Sequence, residues 1–352
     1  MTQYRIFVPF LLGWSRIRLY ATTCREIAVT TYHENTDASS PPRARDGNAS
    51  LSAGQRSARP LPSDSLVWKY FGDRRMLLLG PRAGTTENMY PQLGQAVSDH
   101  SVIFTDLLAR VRRSIPPIMK AVYGDTPEKT GLQIRNFHKP LAGTVSDGSK
   151  FDGQAYSGLD PETFYWAHAT FLDALYETVD RFIRRLTEAE KEQMFQESRD
   201  WYSLYGMDDA GTPTTYREFV EYWDRVVEED LVGHTKVARF TVGYITKGIT
   251  RALPAPAAIP KPLWNRIIAP TVNAIASFLG AGGLDPALRA KLGIKWSRGQ
   301  DLRYRGFAAV VRAAGPVWER VAPLSWRYDP AAVAGFEREG VDPRQITPKT
   351  VG

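Results

Sequence analysis

The chain has 352 residues, 43% of them hydrophobic and 24% charged, and a single cysteine, Cys24. That length holds one large domain or two small ones. The balance excludes wholesale disorder, a collagen-like repeat and a polytopic membrane protein, and a lone cysteine excludes a disulfide framework or a cysteine-based zinc or iron–sulfur site. The net charge of +7 lies largely in residues 1–60, where eight arginines face four acids. The remainder is too nearly balanced to form a basic stripe, so no nucleic-acid partner is expected.

Taken in chain order, residues 1–60 read as a disordered N-terminal segment. Ala38–Pro62 is rich in Ser, Ala, Arg, Pro and Gly and cannot bury enough surface to offset its ordering entropy. The apolar run Phe7–Trp14 is short for a signal sequence and is broken by Pro9, so it reads as a frayed leader. Residues 61–345 read as one all-α domain. Helices are predicted at 100–122, 127–139, 161–186, 188–205, 216–230, 234–252, 262–280, 286–293 and 301–321. Their starts are marked by Thr126-Pro127, by Asp160-Pro161-Glu162, and by the capping boxes Thr187…Glu190 and Thr215…Glu218. Pro116-Pro117 is expected to kink or end its helix. In 262–283, Arg266, Asn265, Pro270 and Asn273 interrupt the apolar stretch, which argues for a core helix over a membrane span or an interfacial helix.

Three of these helices carry polar groups on faces expected to be buried, where an unpaired charge is costly. In the first, Arg110 and Ser114 fall on the stripe of Ile103, Leu107, Val111 and Ile118, with Arg113 one step to the side. This describes either snorkelling arginines at a helix edge or cationic donors facing an anionic ligand. In the second, Leu132, Arg135 and His138 share a broad face, and His138 either complements the helix C-terminus or acts as a ligand. In the third, His168 lies on the stripe of Phe164, Phe171, Leu175, Val179 and Phe182, where a lone histidine is more often structural. Together, two interior histidines and an arginine-bearing helix describe a cofactor pocket between helices. Haem fits that set, because it needs an imidazole for its iron and cations for its propionates. No dinucleotide, P-loop, zincin or serine-hydrolase motif competes.

Arg110-Val111-Arg112-Arg113-Ser114, Ile134-Arg135-Asn136-Phe137-His138-Lys139-Pro140-Leu141-Ala142-Gly143, Tyr156 and Tyr165-Trp166-Ala167-His168-Ala169-Thr170 follow in that order. In this the chain resembles the rubber-oxygenase catalytic domain, the group that includes the latex clearing protein and the MpaB-type oxygenases, over about residues 68–320. The resemblance implies an all-α protein that holds haem b and uses dioxygen. It implies His138 as the iron ligand, with Arg135 beside it, and a distal set of Arg110, Arg113 and Ser114 in which Arg and Ser replace Lys and Thr. His168 then supports the haem environment. Where rubber-cleaving members carry a basic pair after the ligand, this chain has Ala142-Gly143, so polyisoprene is not carried over as substrate. Glu87, Asp99 and Asp106 are the candidates for a base.

The leading expectation is therefore a haem b-dependent oxygenase acting with dioxygen on an apolar, unsaturated or lipid-like substrate. Arg113 and Ser114 would be its catalytic pair, and Arg110, Arg113, Ser114, Arg135, His138 and His168 its cofactor-binding residues. A haem-binding sensor, carrier or weak peroxidase is the alternative, and a helical lipid-binding or membrane-surface module is the third reading. The expected location is cytoplasmic or at a membrane surface, and a reductase partner would fit an oxygenase.

Overall fold

The computed structural model describes residues 56–251 and 255–349, so Phe7–Trp14, Cys24 and most of the expected disordered segment lie outside it. The last part of that segment, 56–62, is neither helix nor strand but is tied down. Arg56 stands 3.7 and 3.9 Å from Asp200 and Asp209, the Arg59 amide donates to Ser203 Oγ at 3.0 Å, and Leu61 is buried.

The described chain is helical apart from one small hairpin. Helix α1 (Leu66–Phe71) starts where Ser65 Oγ accepts the Trp68 amide, and a 3₁₀ turn (Arg74–Leu78) leads into α2 (Gly80–Glu87) and α3 (Pro91–His100). Next come α4 (Leu107–Tyr123) and α5 (Pro127–His138). Strands β1 (Ala142–Thr144) and β2 (Ala155–Ser157) pair antiparallel with Gly143 opposite Tyr156. Helix α6 (Pro161–Thr178) opens on Asp160, whose carboxylate accepts the Thr163 amide, and runs on as a π turn to Ile183. Helices α7 (Glu188–Ser203) and α8 (Tyr216–Arg225) follow, and α8 too ends in a π turn, at Asp230. The remainder is α9 (Lys236–Lys247), α10 (Lys261–Leu263) with a π turn to Ile268, α11 (Ala269–Gly283), α12 (Pro286–Lys291), α13 (Arg298–Val321), α14 (Leu324–Arg327) and α15 (Pro330–Glu339). Among the described residues no helix is long and apolar enough to cross a membrane.

Several local expectations change. The predicted helix 100–122 divides, because Asp106 caps a new helix through the Ala109 amide. Ile103 is therefore buried outside α4 and out of phase with it, while Val111 is 38% exposed. Helix α4 also runs straight through Pro116 and Pro117 to Tyr123. The carbonyls that these prolines deprive of a donor belong to Arg112 and Arg113, which are exposed, so water can serve them. Thr126 makes no side-chain cap on α5, and Thr215 caps Glu218 while the Glu218 carboxylate turns to the Thr214 amide, so only Thr187…Glu190 closes as the expected box. The stretch 262–283 is core only at Trp264 and at its end, Gly280–Gly283, while Leu263, Ile267 and Ile275 are exposed.

Helix α6 is the axis of the core, with Phe164, Trp166, Leu172 and Leu175 all buried. Helix α2 packs along it and is fixed by an ion network. Arg82, almost wholly buried, donates to Asp173 of α6 at 2.5 and 2.9 Å, to Asp285 at 2.7 Å and to the Gly283 carbonyl at 3.0 Å. These bonds offset the cost of taking the guanidinium out of water, which an unpaired arginine could not do.

Candidate cofactor and active site

His138 is the last residue of α5, and three contacts set its position. Gly131 allows the helix to approach the end of α7, since a Cβ there would stand 2.3 Å from the Leu204 carbonyl oxygen. Arg135 Nη1 donates to the Gly206 carbonyl at 3.2 Å. Behind the histidine, the Leu141 amide bonds the His138 carbonyl and the Gly158 amide bonds the Leu141 carbonyl, which ties the hairpin to the helix end. Gly158 is required there, because a Cβ would lie 2.2 Å from the His138 oxygen.

The imidazole is half-buried and edges onto Phe164 at 5.6 Å between ring centroids. Nδ1–H donates to the Ile134 carbonyl at 2.8 Å, an assignment that follows from the acceptor. That leaves Nε2 as the nitrogen with a lone pair, and it has no hydrogen-bond partner among the described residues. Burial lowers the ring's pKa below 6.5, the bond to Ile134 opposes this, and Arg110 adds to the lowering, so the ring is held neutral.

Arg110 and Ser114 lock together across one turn of α4. Ser114 Oγ accepts from Arg110 Nη1 at 2.8 Å and donates to the Arg110 carbonyl at 2.9 Å. Arg110 has no carboxylate partner in ion-pair range among the described residues, yet its charge is felt by both His138 and Glu87. Glu87, at the end of α2, is enclosed enough for burial to raise its carboxyl pKa, but it keeps some accessible surface. Between Leu107 and Lys120 no residue of α4 is buried, and α5 buries Gly131 alone.

The structure places Arg110, bonded to Ser114, within electrostatic reach of both His138 and Glu87. It separates the three candidate acids, for Asp99 accepts the Tyr156 hydroxyl at 2.7 Å, Asp106 caps α4, and Glu87 has neither duty. Arg113 is exposed and makes no hydrogen bond or ion pair among the described residues, and Arg135 is occupied with Gly206 and Asn136. His168 lies elsewhere. It is buried among Trp201, Tyr202, Tyr205 and Tyr165, with ring centroids 4.8 to 6.2 Å away, and the contacting rings of Tyr205 and Phe164 join it to His138. Gly158 had no sequence signal as a site residue, because its role depends on a close approach across the hairpin. The Ala142-Gly143 departure has a local cause, since Tyr156 covers Gly143 so closely that a Cβ there would stand 2.5 Å from its hydroxyl.

A neutral imidazole with one fixed N–H and one free lone pair, near a guanidinium without a carboxylate, fits a porphyrin that carries iron and anionic side groups. Among the described residues, no three His, Cys, Asp or Glu side chains gather as a metal-holding cluster, so this donor set offers one protein ligand and not a cage. Comparison with curated proteins and with solved structures gives no significant match. Residues 68–313, well over half of the chain, match the family described as "ER-bound oxygenase mpaB/B'/Rubber oxygenase, catalytic domain", and the chain belongs to that family.

Proposed function

We propose that this chain is a haem-dependent oxygenase that acts with dioxygen on an apolar, unsaturated or lipid-like substrate. The family supports an oxygenase, and the observation that carries the haem reading is the free Nε2 of His138 beside Arg110. A haem b bound there supplies the redox-active iron needed to make dioxygen react with a hydrocarbon.

The chain's own residues divide the remaining work. Ile134 fixes the tautomer and orientation of His138, which leaves the Nε2 lone pair as the one that would hold the iron. Arg110, held in place by Ser114, balances the negative propionates, and Arg135 adds positive charge from the same helix as the ligand. Arg113 would be the hydrogen-bond donor to dioxygen, since a guanidinium stays protonated and polarises without ligating, and Ser114 would join it only by releasing its bond to the Arg110 carbonyl. Glu87, whose carboxyl holds its proton more tightly than usual, is the group for moving a proton to or from substrate. The half-buried apolar side chains Leu107, Ile118, Met119 and Ile134 on the same two helices suit a hydrocarbon substrate.

The test is the absorbance and porphyrin content of protein produced with haem supplied. Wild type should show a Soret band, and His138→Ala should lose it while its far-UV circular dichroism is unchanged. Equal haem content in the variant would remove the ligand assignment. Oxygen uptake with alkenes then separates an oxygenase from a haem sensor, carrier or weak peroxidase. The exposed Leu263, Ile267 and Ile275 favour peripheral contact with a lipid surface. Co-sedimentation with liposomes should weaken in Ile267→Ser, and a protein that never sediments would count against the contact.

A further inference from the structure

The His168 environment holds a feature that the haem reading does not use. His168 is 4% exposed, and neither ring nitrogen has a hydrogen-bond partner among the described residues. The Ser198 carbonyl is near enough to weigh on the ring's proton affinity but lies outside hydrogen-bond geometry. The Tyr202 hydroxyl and Arg199 Nε are likewise buried without a partner. All three residues border one small, partly open pocket of about 10 Å³ between α6 and α7, which Asp209 and Thr212 also line.

Native proteins rarely leave so many buried polar atoms unsatisfied at one place, because each would forfeit the hydrogen bonds it makes to water in the unfolded chain. The contents of the cavity must therefore hydrogen-bond. Its volume suits a single water, which needs roughly 10–15 Å³ and two to four polar partners. A cation is disfavoured by Arg199, and an anion by Asp209 on the same wall. Water alone offers both donors and acceptors, which match a neutral imidazole (one N–H, one lone pair), a phenol that does either, and a guanidinium N–H.

We propose that this cavity is a binding site for one buried water molecule, shared by His168, Tyr202 and Arg199, which stitches α6 to α7. It gives the core imidazole its hydrogen bonds and explains why a polar ring is tolerated inside an aromatic cage. A second consequence concerns tautomers. With no partner among the described residues to fix it, the ring's N–H is placed by the water, so the water and the tautomer stand or fall together.

High-resolution crystallography of the full chain is the direct test. A density peak at hydrogen-bond distance from a His168 nitrogen and from Tyr202 Oη is expected. In solution, water-¹⁷O magnetic relaxation dispersion should count one fewer long-lived water in His168→Phe than in wild type. If that variant does not fold, Tyr202→Phe serves, with faster exchange of the same water expected. A dry cavity, ring nitrogens bonded to protein alone, or an unchanged count of long-lived waters would overturn the proposal.

Discussion

His168 makes a quantitative claim about acid stability. Burial depresses its pKa from 6.5 to about 3, with the Ser198 carbonyl opposing weakly. Below the unfolded value, the unfolded chain binds a proton at this residue and the folded protein does not. Stability is therefore present above that value and is lost as the pH falls toward the folded pKa. A single titrating site with these two pKa values loses about 2 kcal/mol between about pH 7 and about pH 5, rising to about 4 kcal/mol at the folded pKa. His168→Gln keeps a polar side chain of similar reach but cannot titrate. Urea unfolding of both proteins across that range should give curves that converge as the pH falls, with wild type losing about 2 kcal/mol more than the variant. Parallel curves would mean that His168 is protonated in the folded protein or is exposed to solvent. Either result would refute the buried, neutral ring on which the reasoning depends.

Two further substitutions address the His138 site. Glu87→Gln should leave haem content unchanged and lower oxygen uptake by about 10²–10⁴-fold, while equal turnover would dismiss the carboxyl from the reaction. Gly158→Ala introduces a Cβ 2.2 Å from the His138 carbonyl oxygen and 3.0 Å from Leu141 Cβ. It should cost roughly 1–3 kcal/mol in thermal unfolding and weaken haem retention, because the hairpin and the end of α5 must move apart. An unchanged melting temperature together with unchanged haem content would show that the hairpin does not position the histidine.

The sequence by itself determined the fold class, because helical periodicity and caps such as Asp160 and Thr187 act through neighbours a few residues away. The same local logic placed Arg110, Ser114 and His138 on helices, where the structure has them. It failed at Ile103 and Val111, where Asp106 started the helix later than the apolar spacing suggested. Tertiary structure decided everything that depends on chain segments far apart. It gave Asp99 and Asp106 other duties and left Glu87 without one, and it joined His168 to His138 through the contacting rings of Tyr205 and Phe164. It also required glycine at 158, because a close approach of two backbones leaves no trace in helix phase. Periodicity reports which way a side chain points; what it meets there is settled by packing between elements.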